Sequence, residues 1–183
     1  MREIEVRYRV ADPASLLLAL VARGIQFGEP VHQDDQAYAP IGWSFGDEKV
    51  GISFLFLRTV GSRHFFVLKK PTGNARTCLE YETEIVDREQ MHQAILWMEF
   101  GPTVRVVKTR RTAVLDDISF HLDYLEGIGT FLEIERLVPG DGDGSAGRVQ
   151  DELAEFVAAL GVDVTRAAET YESLVRNAGN GRG

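Results

Sequence analysis

The chain has 183 residues, 44% hydrophobic and 26% charged, enough for one domain that buries about 70% of its unfolded surface in a core of its own. Its formal charge of -8 excludes the broadly basic surface that binds phosphate backbones or anionic membranes, so neither is expected as a partner, whereas a small phosphorylated ligand in a local basic cavity stays open. A lone cysteine, Cys78, excludes an internal disulfide and a cysteine-based zinc cluster and fits a reducing cytoplasm.

Period-two alternation runs through most of the chain. Glu3, Glu5, Arg7 and Arg9 alternate with Ile4, Val6, Tyr8 and Val10, which in a strand places the two sets on opposite faces. Asp12-Pro13 then supplies an N-cap and a first helical residue for a segment ending near Gly24. The apolar run from Leu16 to Ala22 is short of the ~20 residues that span a bilayer, and it follows Asp12-Pro13 rather than a basic segment, so it is expected to be a short buried helix.

Val50 to Val60, the turn Gly61-Ser62, and His64 to Lys70 predict a hairpin. Thr77 to Val86 alternates again, with Glu80, Glu82 and Glu84 on one face. Asp87 caps a second helix through about Glu99, with Gln90 placed as in a capping box. Val104 to Thr109 and Thr112 to Leu115 flank Arg110-Arg111, and Ile118 to Leu125 and Thr130 to Leu137 are further strands. The Gly/Asp-rich segment from Pro139 to Gly147 lacks the EF-hand spacing and is expected to be a solvated linker. Arg148 to Leu160 and Thr165 to Val175 predict two last helices, and 177–183 a disordered tail after a single domain over 1–176.

Charges of both signs recur on single strand faces. For any one strand the ordinary explanation is the solvated side of an antiparallel sheet. If the sheet closes, one face of every strand lines the lumen. Carboxylates there suit Mg²⁺ or Mn²⁺, and guanidinium and ammonium groups suit phosphate oxygens, so cations and a polyanion can be held together. The four histidines show no metal-ligand spacing, Cys78 has no base that the sequence pairs with it, and no phosphate-binding G-x-x-x-x-G-K-[ST] loop is present.

The opening Glu3-Ile4-Glu5-Val6-Arg7 resembles the E-x-E-x-K signature of the CYTH superfamily, the triphosphate tunnel metalloenzymes. The resemblance continues in order: Gln33-Asp34-Asp35-Gln36-Ala37-Tyr38, Phe56-Leu57-Arg58, Leu68-Lys69-Lys70-Pro71, Glu80-Tyr81-Glu82-Thr83-Glu84 and Val107-Lys108-Thr109-Arg110. It ends in Leu122-Asp123 through Gly127-Ile128-Gly129-Thr130-Phe131-Leu132-Glu133-Ile134-Glu135. Each piece alone is unspecific; the ordered set is specific. Arg7 replaces the usual Lys, Phe56 stands where the first Arg of an R-x-R pair is expected, and Ala37 replaces an aromatic.

The resemblance implies an α+β fold, an antiparallel β-barrel or tunnel with flanking helices. It implies metal ligation of Mg²⁺ or Mn²⁺ by Glu3, Glu5, Asp123, Glu133 and Glu135, with Glu82 and Glu84 as secondary candidates. Arg7, Arg9, Arg58, Lys69, Lys108 and Arg110 would hold the phosphate chain, and Lys69 and Arg110 would act catalytically on it. The implied substrate is a small-molecule triphosphate. The activity resembles a class IV adenylate cyclase, with a triphosphatase and a non-catalytic nucleotide or polyphosphate sensor as alternatives; a homodimer stays open.

Overall fold

The computed structural model describes residues 2–73, 76–139 and 146–180. Nine strands form one antiparallel sheet: β1 (Arg2–Val10), β2 (Val31–Pro40), β3 (Phe54–Val60), β4 (Arg63–Pro71), β5 (Thr77–Ile85), β6 (Phe100–Leu115), β7 (Ile118–Leu125), β8 (Gly129–Val138) and β9 (Val164–Arg166). Four helices accompany them: α1 (Pro13–Val21), α2 (Arg88–Trp97), α3 (Ala146–Ala158) and α4 (Tyr171–Asn180). The strand order is β5-β4-β3-β2-β6-β7-β8-β1-β9, and a β1–β5 pairing closes the first eight strands into a barrel.

Closure depends on how β1 divides its edges. One edge pairs with β8 from Arg2↔Val138 to Val10↔Thr130. The other takes β5 at Arg2, Glu3 and Ile4, then β9 at Tyr8, Arg9 and Val10. In the gap, Arg76 O accepts from Glu5 N and Arg7 O from Ala167 N, so the backbone groups of β1 stay paired as burial requires.

Much of the outward face is apolar and covered by helices. Ile4, Val6, Phe120, Leu132 and Ile134 pack with Leu16 and Leu20 of α1 and Val149, Leu153 and Val157 of α3. Helix α2 covers β2 to β4 through Ile95 against Tyr38, Leu55 and Leu57. Asp12 and Asp87 cap α1 and α2 as their positions predict. Helix α4 instead closes one end of the lumen, where Tyr171 and Leu174 meet Val106, Leu125 and Phe131. No helix among the described residues is long and apolar enough to cross a membrane.

Four expectations change. The pair of strands around Arg110-Arg111 is one strand of 16 residues, because β2 and β7 pair with it along its length. Strand β3 begins at Phe54, not Val50. Thr165 opens no helix: the β-branched Val164 and Thr165 pair with the part of β1 that β5 leaves bare. Helix α4 runs past Arg176 to Asn180, so 177–180 are helical where a tail was expected, and 181–183 lie outside the described residues. So does the stretch 140–145 of the expected linker.

Candidate active site

Because side chains alternate along each strand, the charged faces read from the sequence turn into the closed lumen. They enclose a cavity of about 440 Å³. Glu3, Glu5 and Arg7 come from β1, Asp35 from β2, Arg58 from β3, Lys69 from β4, Lys108 and Arg110 from β6, and Glu133 and Glu135 from β8.

The lumen charges are paired, and Glu3, Glu5, Arg7, Asp35, Lys108 and Glu133 are buried. Glu133 accepts from Arg7 Nε at 2.9 Å and from Arg110 at 2.9 Å. Glu5 accepts from Arg7 at 3.2 Å and from Arg76 Nη1 at 2.5 Å. Lys69 lies 3.2 Å from Glu3 and 2.8 Å from Glu80. Arg58 bridges Asp35 at 3.0 Å and Glu82 at 2.7 Å. Burying two charges costs several kcal/mol per ion and is offset only when partners are close and well placed; removing one partner then costs about 3–5 kcal/mol.

These contacts set the protonation states. Burial opposes ionisation of Glu133, but Arg7, Arg110 and Lys108 outweigh it and hold the carboxyl well below the usual range. Burial, with repulsion from Glu80 and Glu135, pushes Glu3 well above that range against the pull of Lys69. Glu80, partly buried, is brought down to about 2 against that burial by Lys69 and a hydrogen bond from Glu3. Burial and the neighbouring Arg110 lower Lys108, and burial lifts the Cys78 thiol to about 12, which leaves it an inert packing group.

Two clusters of donor atoms suit a divalent cation. Oxygens of Glu3, Glu5 and Glu135 lie within 4.8 Å of one another, as do donor atoms of His121, Glu133 and Glu135. Hard carboxylates fit Mg²⁺ or Mn²⁺, and an imidazole beside them fits Mn²⁺. His121 Nδ1 is 3.1 Å from Thr112 Oγ1 and Nε2 is 3.1 Å from Glu135, so one ring nitrogen is oriented by a hydroxyl while the other faces the carboxylates.

Three expected site residues stand elsewhere. Asp123 has no accessible surface; it holds Arg110 at 2.7 Å and Lys108 at 3.6 Å and lies in neither donor cluster. Its place is beneath the basic groups. Arg9 is exposed beyond the plug of Phe131, its guanidinium over that ring and donating to Ile128 O at 2.7 Å. Glu84 is exposed outside the lumen and pairs with Arg63. Glu82 does line the cavity, as the partner of Arg58.

Several other lining groups escape a sequence reading, though Phe56 does not. Arg76 and Lys49 enter from connections, Tyr171 from α4, and Trp43, Phe45, Phe54 and Phe56 form an aromatic wall. The Trp43 ring meets Phe45 and Phe54 edge-on at 5.1 and 5.0 Å. Period-two spacing carries no signal for loop or helix residues. Three of the strand residues had one: Phe54 and Phe56 share the lumen face with Arg58, and His121 shares it with Asp123, two residues on.

A closed antiparallel barrel whose lumen carries facing carboxylate clusters and cationic side chains defines the class: a β-barrel with a charged lumen of both signs. The chain belongs to the CYTH domain family, which matches residues 1–167. A Methanocaldococcus jannaschii protein named as a candidate adenylate cyclase is 25% identical over 164 residues, 88% of this chain and 91% of that one. The structure of the PH1819 protein from Pyrococcus horikoshii superposes with a TM-score of 0.76 at 23% identity, covering 96% of this chain and 99% of that chain. A Hippeastrum protein, described as a candidate adenylyl cyclase with a dominant triphosphatase activity, superposes with a TM-score of 0.62 at 17% identity, covering 97% and 96%.

Proposed function

We propose that this chain is a divalent-metal-dependent enzyme acting on an organic triphosphate, with a nucleoside triphosphate converted to a cyclic nucleotide and pyrophosphate as the leading reaction. The observation that carries the reading is the meeting, in one cavity, of two carboxylate-rich donor clusters, converging cationic side chains and an aromatic wall. Bare polyphosphate needs only the first two; an organic group gives the third a partner.

Glu3, Glu5 and Glu135 would hold one cation, and Glu133, Glu135 and His121 a second. Such cations withdraw charge from phosphoryl oxygens and can acidify an attacking hydroxyl. Arg7, Arg58, Lys69, Lys108 and Arg110 bind the phosphate chain and stabilise the negative charge that gathers on it during transfer. In the cyclase reaction the ribose 3′-oxygen bonds to the α-phosphorus and loses its proton, and pyrophosphate departs with the bridging oxygen. The name of the Methanocaldococcus jannaschii relative supports this assignment. In the second reading, water attacks the terminal phosphorus and releases orthophosphate, and the Hippeastrum neighbour supports it.

Phosphorus NMR of the protein with ATP, thiamine triphosphate or tripolyphosphate, in Mg²⁺ or Mn²⁺, tests the proposal. Pyrophosphate with a cyclic nucleotide establishes the cyclase and orthophosphate the triphosphatase; tight binding without products establishes a sensor. Glu133→Gln and Glu135→Gln should each abolish turnover with the fold retained. Retention of wild-type turnover and metal dependence in both variants overturns the carboxylate assignment. The electron spin echo of bound Mn²⁺ should carry a nitrogen modulation that His121→Asn removes; its absence in the wild type takes His121 out of the second site.

A further inference from the structure

We propose that the phenolic hydroxyl of Tyr171 contacts the substrate, donating a hydrogen bond to an oxygen of the phosphate chain gathered by Arg7, Lys108 and Arg110. This deepens the phosphate reading above and rests on it.

Tyr171 begins α4 and is 5% exposed. Its ring is fixed on three sides: the Arg7 guanidinium lies 3.8 Å and the Lys108 ammonium 5.0 Å from its centroid, and Phe131 meets it edge-on at 5.4 Å. A ring so held directs its hydroxyl to one place. That hydroxyl is buried and has no hydrogen-bond partner among the described residues, although Tyr171 lines the cavity. Buried polar groups are nearly always satisfied, and one that is not calls for an explanation. Tyr38, buried as well, has His92 Nδ1 at 2.7 Å from its hydroxyl.

Acceptors stand nearby but are engaged. Asp123 accepts from Arg110, and Glu133 from Arg7 and Arg110. The hydroxyl also stays protonated, since burial and the charges of Asp123 and Glu133 push it well above its ordinary value despite Arg7 and Arg110. It is therefore a neutral donor without an acceptor, set among cations that attract anionic oxygen. A phosphoryl oxygen placed by those cations supplies what the hydroxyl lacks.

The segment leading into α4 is tied to the same groups. Arg7 donates to Glu169 O at 3.3 Å, and Arg76 donates to Ala167 O at 2.9 Å and Glu169 O at 2.7 Å. A ligand bonded to Tyr171 would thus pin α4 over the end of the lumen.

The test is calorimetric titration of the full chain with tripolyphosphate and with ATP, in Mg²⁺, for wild type, Tyr171→Phe and Tyr38→Phe. Tyr171→Phe keeps the ring and removes only the oxygen. Its Kd for both ligands should rise about tenfold or more, the range for a hydrogen bond to a charged group. Its ligand-free melting temperature should stay level or increase, because an unpaired buried hydroxyl is gone. Tyr38→Phe should do the reverse, melting lower with its Kd unchanged. Wild-type binding with an unchanged Kd in Tyr171→Phe overturns the inference and leaves the phosphate reading intact. Wild-type protein that binds neither ligand overturns both.

Discussion

Glu3 and Glu80 show how a single buried proton can tune this lumen. Glu80, at about 2, lies below its ordinary 4.5, so it contributes stability above 4.5 that is lost as the pH falls toward 2. Glu3 lies well above 4.5, so its contribution is present below 4.5 and is lost as the pH rises past it. The pair therefore stabilises the fold most near the ordinary carboxylate range and less on either side. Gln at position 3 keeps a donor toward Glu80 without a proton to lose. Melting temperatures taken from about pH 5 to about pH 8 should show Glu3→Gln gaining on wild type as the pH rises; a constant difference would place the proton elsewhere. Phe56 shares its strand face with Arg58 and lines the cavity, where an arginine would extend the cationic path. Phe56→Arg should move the ratio of kcat/KM for an organic triphosphate over tripolyphosphate toward tripolyphosphate. The carboxylates and cations of this site were legible because they lie on alternating strands. Tyr171 and Arg76 were not, since only the folded chain brings a helix and a connection to the lumen.

Among the elements, α3 shows how an outer layer supports an inner site. Its Val149, Leu153 and Val157 press on Ile4, Val6, Leu132 and Ile134, the residues that alternate with Glu3, Glu5, Glu133 and Glu135. Leu153 is fully buried, and Leu153→Ala should cost about 2–5 kcal/mol in chemical denaturation. A loss below about 1 kcal/mol would mean that the site closes over the gap. Strands with clean alternation and helices with Asp caps could be read from the residues directly. Strand β2 could not, because Gln33-Asp34-Asp35-Gln36 is polar on both faces; only its resemblance to a family segment marked it. Strand β9 was also hidden, since its three residues are a strand only through the edge that β1 offers them.

At the scale of the whole molecule, the proposed cation sites would couple metal binding to stability. Oxygens of Glu3, Glu5 and Glu135 crowd within 4.8 Å, and an ion bound there favours the folded state alone. Mn²⁺ or Mg²⁺ at about a hundredfold over its Kd should add about 2.7 kcal/mol, and a chelator should return the melting temperature to its starting value. Glu135→Gln, which touches both clusters, should shrink that shift. The same clusters join distant parts of the chain: Glu3 and Glu5 near its start meet Glu135 only when β1 pairs with β8. Ribosomes add about 5–20 residues per second, so the first acidic pair waits on the order of ten seconds for its counterpart to emerge. Until then β1 is an unpaired edge with apolar Ile4 and Val6, open to wrong partners. Assembly of this lumen is thus a late event in synthesis, and no nascent fragment that stops short of β8 can complete it.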